Sequence, residues 1–163
     1  MRQLNFHFPN KYYIETGLLH GDSLQAALDT GLYSQLFSIE IDSKLVDLGR
    51  KRFADHPQVK IVEGDSSQTL PSVLAQINAP ATFWLDGHFR GSCPVLSELE
   101  HIRNHPIKTH TILIDDMHSF GTSFHNFIRI EDLIQSLAKI NPHYQISYEE
   151  SGNIMVASPS LNI

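Results

Sequence analysis

Short apolar runs recur along the chain, each separated from the next by a stretch whose apolar positions follow a helical period. Residues 12–15, 36–41, 59–62, 81–85 and 111–114 have the brevity and the aromatic or β-branched content of buried strands. A helix is expected over 22–30, with Leu24, Ala27 and Leu28 on one face. The N-cap pair Asp42-Ser43 predicts a second, striped by Leu45, Leu48 and Phe53 and stopped by His56-Pro57. Gly64-Asp65-Ser66-Ser67 opens a third, in which Leu70, Val73, Leu74 and Ile77 keep the 3.6-residue period. A fourth is expected over 95–104, and the longest carries Phe127, Ile130, Leu133, Ile134, Leu137 and Ile140 on one side. The end differs. Residues 144–149 and 154–157, joined by Ser151-Gly152-Asn153, read as a hairpin and not a crossover.

Five strand–helix units closed by a hairpin predict an α/β fold. The expected architecture is a Rossmann-like, mostly parallel seven-stranded sheet with helices on both faces and a C-terminal antiparallel hairpin. Residues 1–163 read as one domain, long enough for a core and broken by no linker, repeat or low-complexity tract. In such sheets ligands bind beyond the carboxyl ends of the strands, near the point where strand order reverses. The polar motifs sit at those ends: Glu15-Thr16-Gly17, Glu40, Gly64-Asp65-Ser66, Asp86-Gly87-His88 and Asp115-Asp116.

Composition narrows the function classes. A net charge of -6 argues against nucleic-acid binding driven by electrostatics. The single cysteine, Cys93, excludes an internal disulfide and suits a reducing, cytoplasmic setting. Residues 1–10 do not read as a signal or transit peptide, and no apolar run is long enough to span a bilayer. Neither a nucleic acid nor a membrane is expected as a partner.

The first strand runs into E-x-G-x-x-x-G, with Glu15, Gly17 and Gly21, before a helix opened by Asp22 or Ser23. Glycine lets a backbone turn sharply and lie against a ligand, and helix amides favour an anion. Together with Glu40 ending the second strand, Gly64-Asp65-Ser66 after the third, and the terminal hairpin, the chain resembles the class I S-adenosylmethionine-dependent methyltransferases over about residues 11–158. A nicotinamide-dinucleotide domain would want G-x-G-x-x-G in the first turn and no hairpin.

That resemblance implies S-adenosylmethionine as cosubstrate, bound by Glu15, Thr16, Gly17, Gly21, Asp22, Ser23, Glu40, Ile41, Gly64, Asp65, Ser66 and Asp86. Glu40 would take the ribose hydroxyls, and Glu15 would orient the glycine loop or meet the ammonium group. Asp65 would accept from the adenine amine beside the Ser66 amide, or act only as an N-cap. A narrower resemblance joins Leu85-Asp86-Gly87-His88 and Ile114-Asp115-Asp116-Met117 to the cation-dependent O-methyltransferases of the catechol and macrocin/novobiocin types. The latter read L-D-G-D and I-D-D-Y there, so His88 and Met117 are departures. It implies a metal, Mg²⁺ or Mn²⁺, on Asp86, Asp115 and Asp116. The catalytic candidates are Asp86, His88 and His118, a histidine serving as base in a metal-free alternative. Adjacent strand residues face opposite ways, so Asp115 and Asp116 share an ion only if the strand has already ended.

The expected activity is methyl transfer to an oxygen of a small-molecule acceptor. The alternatives are a non-catalytic cofactor-binding module, or an enzyme that uses S-adenosylmethionine for another reaction. About ten residues precede the first strand, so an open cleft or a homo-oligomer that supplies the lid is expected. Phe120 and Phe124 are candidates for an apolar wall over the acceptor, Phe127 and Trp84 for the core. His101, His105, His110 and His143 read as surface residues. Cys93, in the loop from Arg90 to Pro94, shows no partner that would make it a nucleophile.

Overall fold

The computed structural model describes residues 6–88 and 91–160, and its elements alternate as the pattern predicts. The first half runs β1 (Tyr12–Thr16), α1 (Asp22–Asp29), β2 (Gln35–Glu40), α2 (Ser43–Arg52), β3 (Val59–Glu63) and α3 (Ser66–Leu74). The second half runs β4 (Ala81–Leu85), α4 (Val95–Asn104), β5 (Thr111–Ile114), α5 (Ile130–Ile140), β6 (Tyr144–Tyr148) and β7 (Met155–Pro159). The strands form one sheet in the order β3-β2-β1-β4-β5-β7-β6. The first five are parallel, and β7 lies antiparallel to both β5 and β6. Arg90 lies outside the described residues.

Alternation along the strands splits the core into two layers. Ile14, Phe37, Phe83 and Ile112 pack on one face with Leu70, Leu99, Ile102, Leu133 and Leu137 from α3, α4 and α5. Tyr13, Leu36, Trp84 and Leu113 pack on the other with Phe6 and with Leu24 and Ala27 of α1. Each fully buried side chain of this size contributes about 1.5–3 kcal/mol. That burial on both faces leaves every residue of β1 and β4 buried, the polar Glu15, Thr16 and Thr82 included.

Three expectations are corrected. The buried face of α2 is Val46 and Gly49, while Leu48 is exposed. The long helix begins at Ile130, so Phe127 is not part of its stripe: it has φ 56° and is 68% exposed. Ile134 is exposed too, and Leu133, Leu137 and Ile140 carry the buried face. His105 and His110 are buried at the edge where β4 and β5 begin. There the amide of Ala81 donates to His110 Nδ1, and His110 Nε2 pairs with His105 Nδ1 at 3.1 Å.

Gly49 shows why the α2 stripe shifted. A Cβ there would lie 2.4 Å from Leu18 Cδ2 and 2.8 Å from Ile61 Cδ1, so the helix sits closer than a side chain permits. Alanine would gain up to about 1 kcal/mol of helix propensity and lose about 1–3 kcal/mol to overpacking. Gly49→Ala should therefore lower stability by about 1 kcal/mol in urea denaturation, whereas a stabilised variant would show that Leu18 moves aside freely.

Candidate functional site

Strand order reverses between β1 and β4, and the cavity of about 520 Å³ opens at their carboxyl ends. Gly17 forms its inner edge. Its φ is 86°, and a Cβ would lie 2.8 Å from the carbonyl oxygen of Asp86. The glycine is therefore required first by the approach of β1 to β4. At Gly64, with φ 149°, a Cβ would meet Thr69 Oγ1 at 2.3 Å.

Beneath the cavity lies a buried polar layer. Glu15 is fully buried; its carboxylate accepts from Ser38 Oγ and Ser23 Oγ at 2.7 Å each and from Tyr13 OH at 3.1 Å. Burial pushes its carboxyl up to about 7, against those three hydrogen bonds. Glu15 therefore ties the start of α1 to β2 and does not reach the cavity wall. Thr16 Oγ1 accepts from the Gly87 amide at 3.2 Å. Glu98 of α4 is fully buried below the same turn and accepts from Ser66 Oγ at 2.6 Å. Burial pushes its carboxyl up to about 7 as well.

The upper wall is acidic. Glu40 ends β2 and is nearly buried; Oε2 accepts from the Leu19 amide at 3.0 Å and Oε1 from the Asp42 amide at 2.9 Å. Two backbone bonds fix the carboxylate at the rim, and each oxygen keeps a second lone pair. Asp65 caps α3 by accepting from the Ser67 amide at 2.9 Å, and it also lines the cavity. Of the residues expected around the cosubstrate, Gly17, Glu40, Ile41, Gly64, Asp65, Ser66 and Asp86 line one hollow. Glu15, Thr16, Gly21, Asp22 and Ser23 do not. Gly21 backs onto Phe53, and Asp22 is an exposed ion pair with Arg52 at 2.9 Å. Leu19, with φ 49°, was not foreseen.

At the far rim Asp86, His88 and Asp116 each place a ligand atom within 4.8 Å of the other two. Asp116 adopts φ 57°, so β5 has ended and the geometric bar to its turning into the cleft is gone. Asp115 Oδ1 instead accepts from the Asp116 amide at 2.7 Å and from Asn153 Nδ2 at 3.3 Å. Asn153, in the β6–β7 turn, also pairs through Oδ1 with His118 Nδ1. His125 was missed as well. It is 3% exposed, neither ring nitrogen has a partner, and it stacks on Phe120 at 4.4 Å and stands edge-on to His88 at 5.8 Å. Burial holds its pKa below the usual imidazole value, and His88 lowers it further. Phe124 is half exposed, 4.9 Å from His88. The Cys93 amide donates to Asn126 Oδ1 at 2.8 Å, and burial pushes its thiol up to about 11, which keeps it un-ionised at neutral pH.

This sheet order and the closing hairpin make a Rossmann-like fold that solved methyltransferase structures share. The S-adenosylhomocysteine-bound methyltransferase PaMTH1 of Podospora anserina matches with a TM-score of 0.64 at 16% identity, over 93% of this chain and 73% of that one. An O-methyltransferase of Bacillus cereus in complex with S-adenosylhomocysteine matches with 0.64 at 15% identity, over 92% and 74%. Spermidine synthase of Thermotoga maritima matches with 0.61 at 14% identity, over 94% of this chain and 54% of that one. No protein-family model matches the sequence, and no curated protein does. Among the described residues no helix is long and apolar enough to cross a membrane.

Proposed function

We propose that this chain binds S-adenosylmethionine across the ends of β1, β2 and β3 and transfers its methyl group to an oxygen of a small-molecule acceptor. The observation that supports it most is the placing of Glu40. A carboxylate braced by two backbone amides stands at the rim of a hollow whose volume suits a cosubstrate of this size. Glu40 accepts from the ribose hydroxyls, and Asp65, already capping α3, uses its remaining acceptor capacity for the adenine amine. The Gly17 backbone fits the amino-acid portion.

The acceptor enters on the Asp86, His88 and Asp116 side, beside Phe124. The donor set there suits a divalent cation. Asp86, His88 and Asp116 would hold the ion, which would lower the pKa of an acceptor hydroxyl. Asn153 Oδ1 accepts from His118 Nδ1, which leaves Nε2 as the basic nitrogen. His118 takes the hydroxyl proton there, the oxygen–methyl bond forms, and the carbon–sulfur bond breaks to leave the thioether. Asp115 and Asn153 position Asp116 and His118.

Calorimetric titration with S-adenosylmethionine and S-adenosylhomocysteine tests the assignment. Glu40→Ala should weaken both by about 100-fold, the loss of two charge-assisted hydrogen bonds. An unchanged affinity removes the ribose role. Formation of S-adenosylhomocysteine on turnover separates methyl transfer from other uses of the sulfonium.

A further inference from the structure

The ligand atoms at the far rim are not all oxygens, and that difference selects among metals. We infer that His88 is a direct ligand. With Asp86 and Asp116 it makes a site for a borderline transition-metal dication such as Zn²⁺ or Co²⁺ rather than for Mg²⁺ or Ca²⁺. The inference deepens, and rests on, the divalent cation of the proposed reaction. The three ligand atoms lie within 4.8 Å of one another. Metal–ligand bonds of roughly 2.0–2.2 Å at tetrahedral angles place ligand atoms about 3.3–3.6 Å apart, so a closing movement of about 1 Å completes the set.

Asp115 is not among the residues whose ligand atoms converge here, and its Oδ1 is bonded to the Asp116 amide and to Asn153. The site is thus one imidazole and two carboxylates. Mg²⁺ and Ca²⁺ demand oxygen ligands, whereas imidazole suits Zn²⁺ and the neighbouring first-row ions. The imidazole is exposed and has aromatic neighbours. Its ring lies 4.9 Å from Phe124 and 5.8 Å from His125, with Nδ1 3.8 Å from Asp86 Oδ1. His125, buried with both nitrogens unpartnered, adds unmet hydrogen-bonding capacity beside the same cluster.

Nearly every donor set prefers Zn²⁺ to Mg²⁺, so the change in ratio on substitution is the decisive reading. Chelator-treated protein of residues 1–163 is titrated calorimetrically with Zn²⁺ and Mg²⁺, and with Co²⁺ followed by its visible absorption. His88→Asp should lower the Zn²⁺:Mg²⁺ affinity ratio at least tenfold and weaken the Co²⁺ bands, while His118→Ala leaves the ratio within twofold. Circular dichroism and thermal melting confirm that both variants fold. A ratio that stays fixed in His88→Asp, or that falls instead in His118→Ala, overturns the inference while leaving the cation in place. Wild-type protein that binds none of the three metals overturns the cation reading itself, and this inference with it.

Discussion

Gly17→Ala is expected to cost the fold about 3 kcal/mol and to abolish the proposed binding of S-adenosylmethionine. Two effects add. A non-glycine residue held at φ 86° is strained by about 1–2 kcal/mol. The new Cβ also lands 2.8 Å from the Asp86 carbonyl oxygen, which is backbone and has no rotamer to give. Relief requires β1 and β4 to separate at their carboxyl ends, where Asp86 Oδ1 and the Glu40 rim take their places around the cavity. Gly31→Ala supplies the comparison, because Gly31 has φ 67° and nothing within 4 Å of a Cβ. It should show the strain alone. Urea denaturation of both variants and calorimetric titration with S-adenosylhomocysteine make the test. Gly17→Ala no worse than Gly31→Ala would mean that the close approach of the two strands does not matter.

The same geometry explains what the sequence could and could not disclose. Glu40, Asp65, Gly17 and Asp86 were legible because each ends a strand, and parallel topology delivers strand ends to one edge. Glu15 and Thr16 occupy the same motif but point down. The pattern places a residue at an edge without saying whether its side chain reaches the cavity or braces it. Asn153 and His125 were illegible for another reason. Their roles are contacts made across the fold, Asn153 to Asp115 and Asp116, and His125 to His88. Nothing periodic marks such residues. Phe127 misled because it extends the helical spacing of Ile130 and Leu133. The chain instead turns through left-handed positions at Asn126 and Phe127 and starts the helix afterwards.

Leu48 and the pair His105 and His110 show the limit of hydrophobicity as a guide. Leu48 lost its place in the core to Gly49, whose value is the absence of a side chain. The two histidines are buried because their ring nitrogens satisfy each other and the Ala81 amide. A polar group so paired loses little on leaving water.

That pairing sets the second large effect, a loss of stability in mild acid. Burial, followed by the nearby His105 and Lys108, lowers His110 from 6.5 to about 3, so the native state holds it neutral. Its contribution is complete above pH 6.5. As pH falls, the unfolded chain takes up a proton that the native state refuses, and the contribution is lost progressively down to about pH 3. A displacement of that size corresponds to roughly 4–5 kcal/mol. Glu15 and Glu98, raised to about 7, act in the opposite sense: they favour the native state below pH 4.5 and lose that advantage as pH rises through 7. The total curve therefore mixes both, and a variant is needed to isolate His110. In His110→Asn an amide oxygen replaces Nδ1 as acceptor for Ala81 and cannot be protonated in this range. Urea denaturation of both proteins between pH 7 and pH 3 should show wild type ahead at pH 7 and the gap shrinking by about 4 kcal/mol on acidification. Parallel curves would mean that His110 protonates without cost in the native state, and that the pair with His105 opens to water.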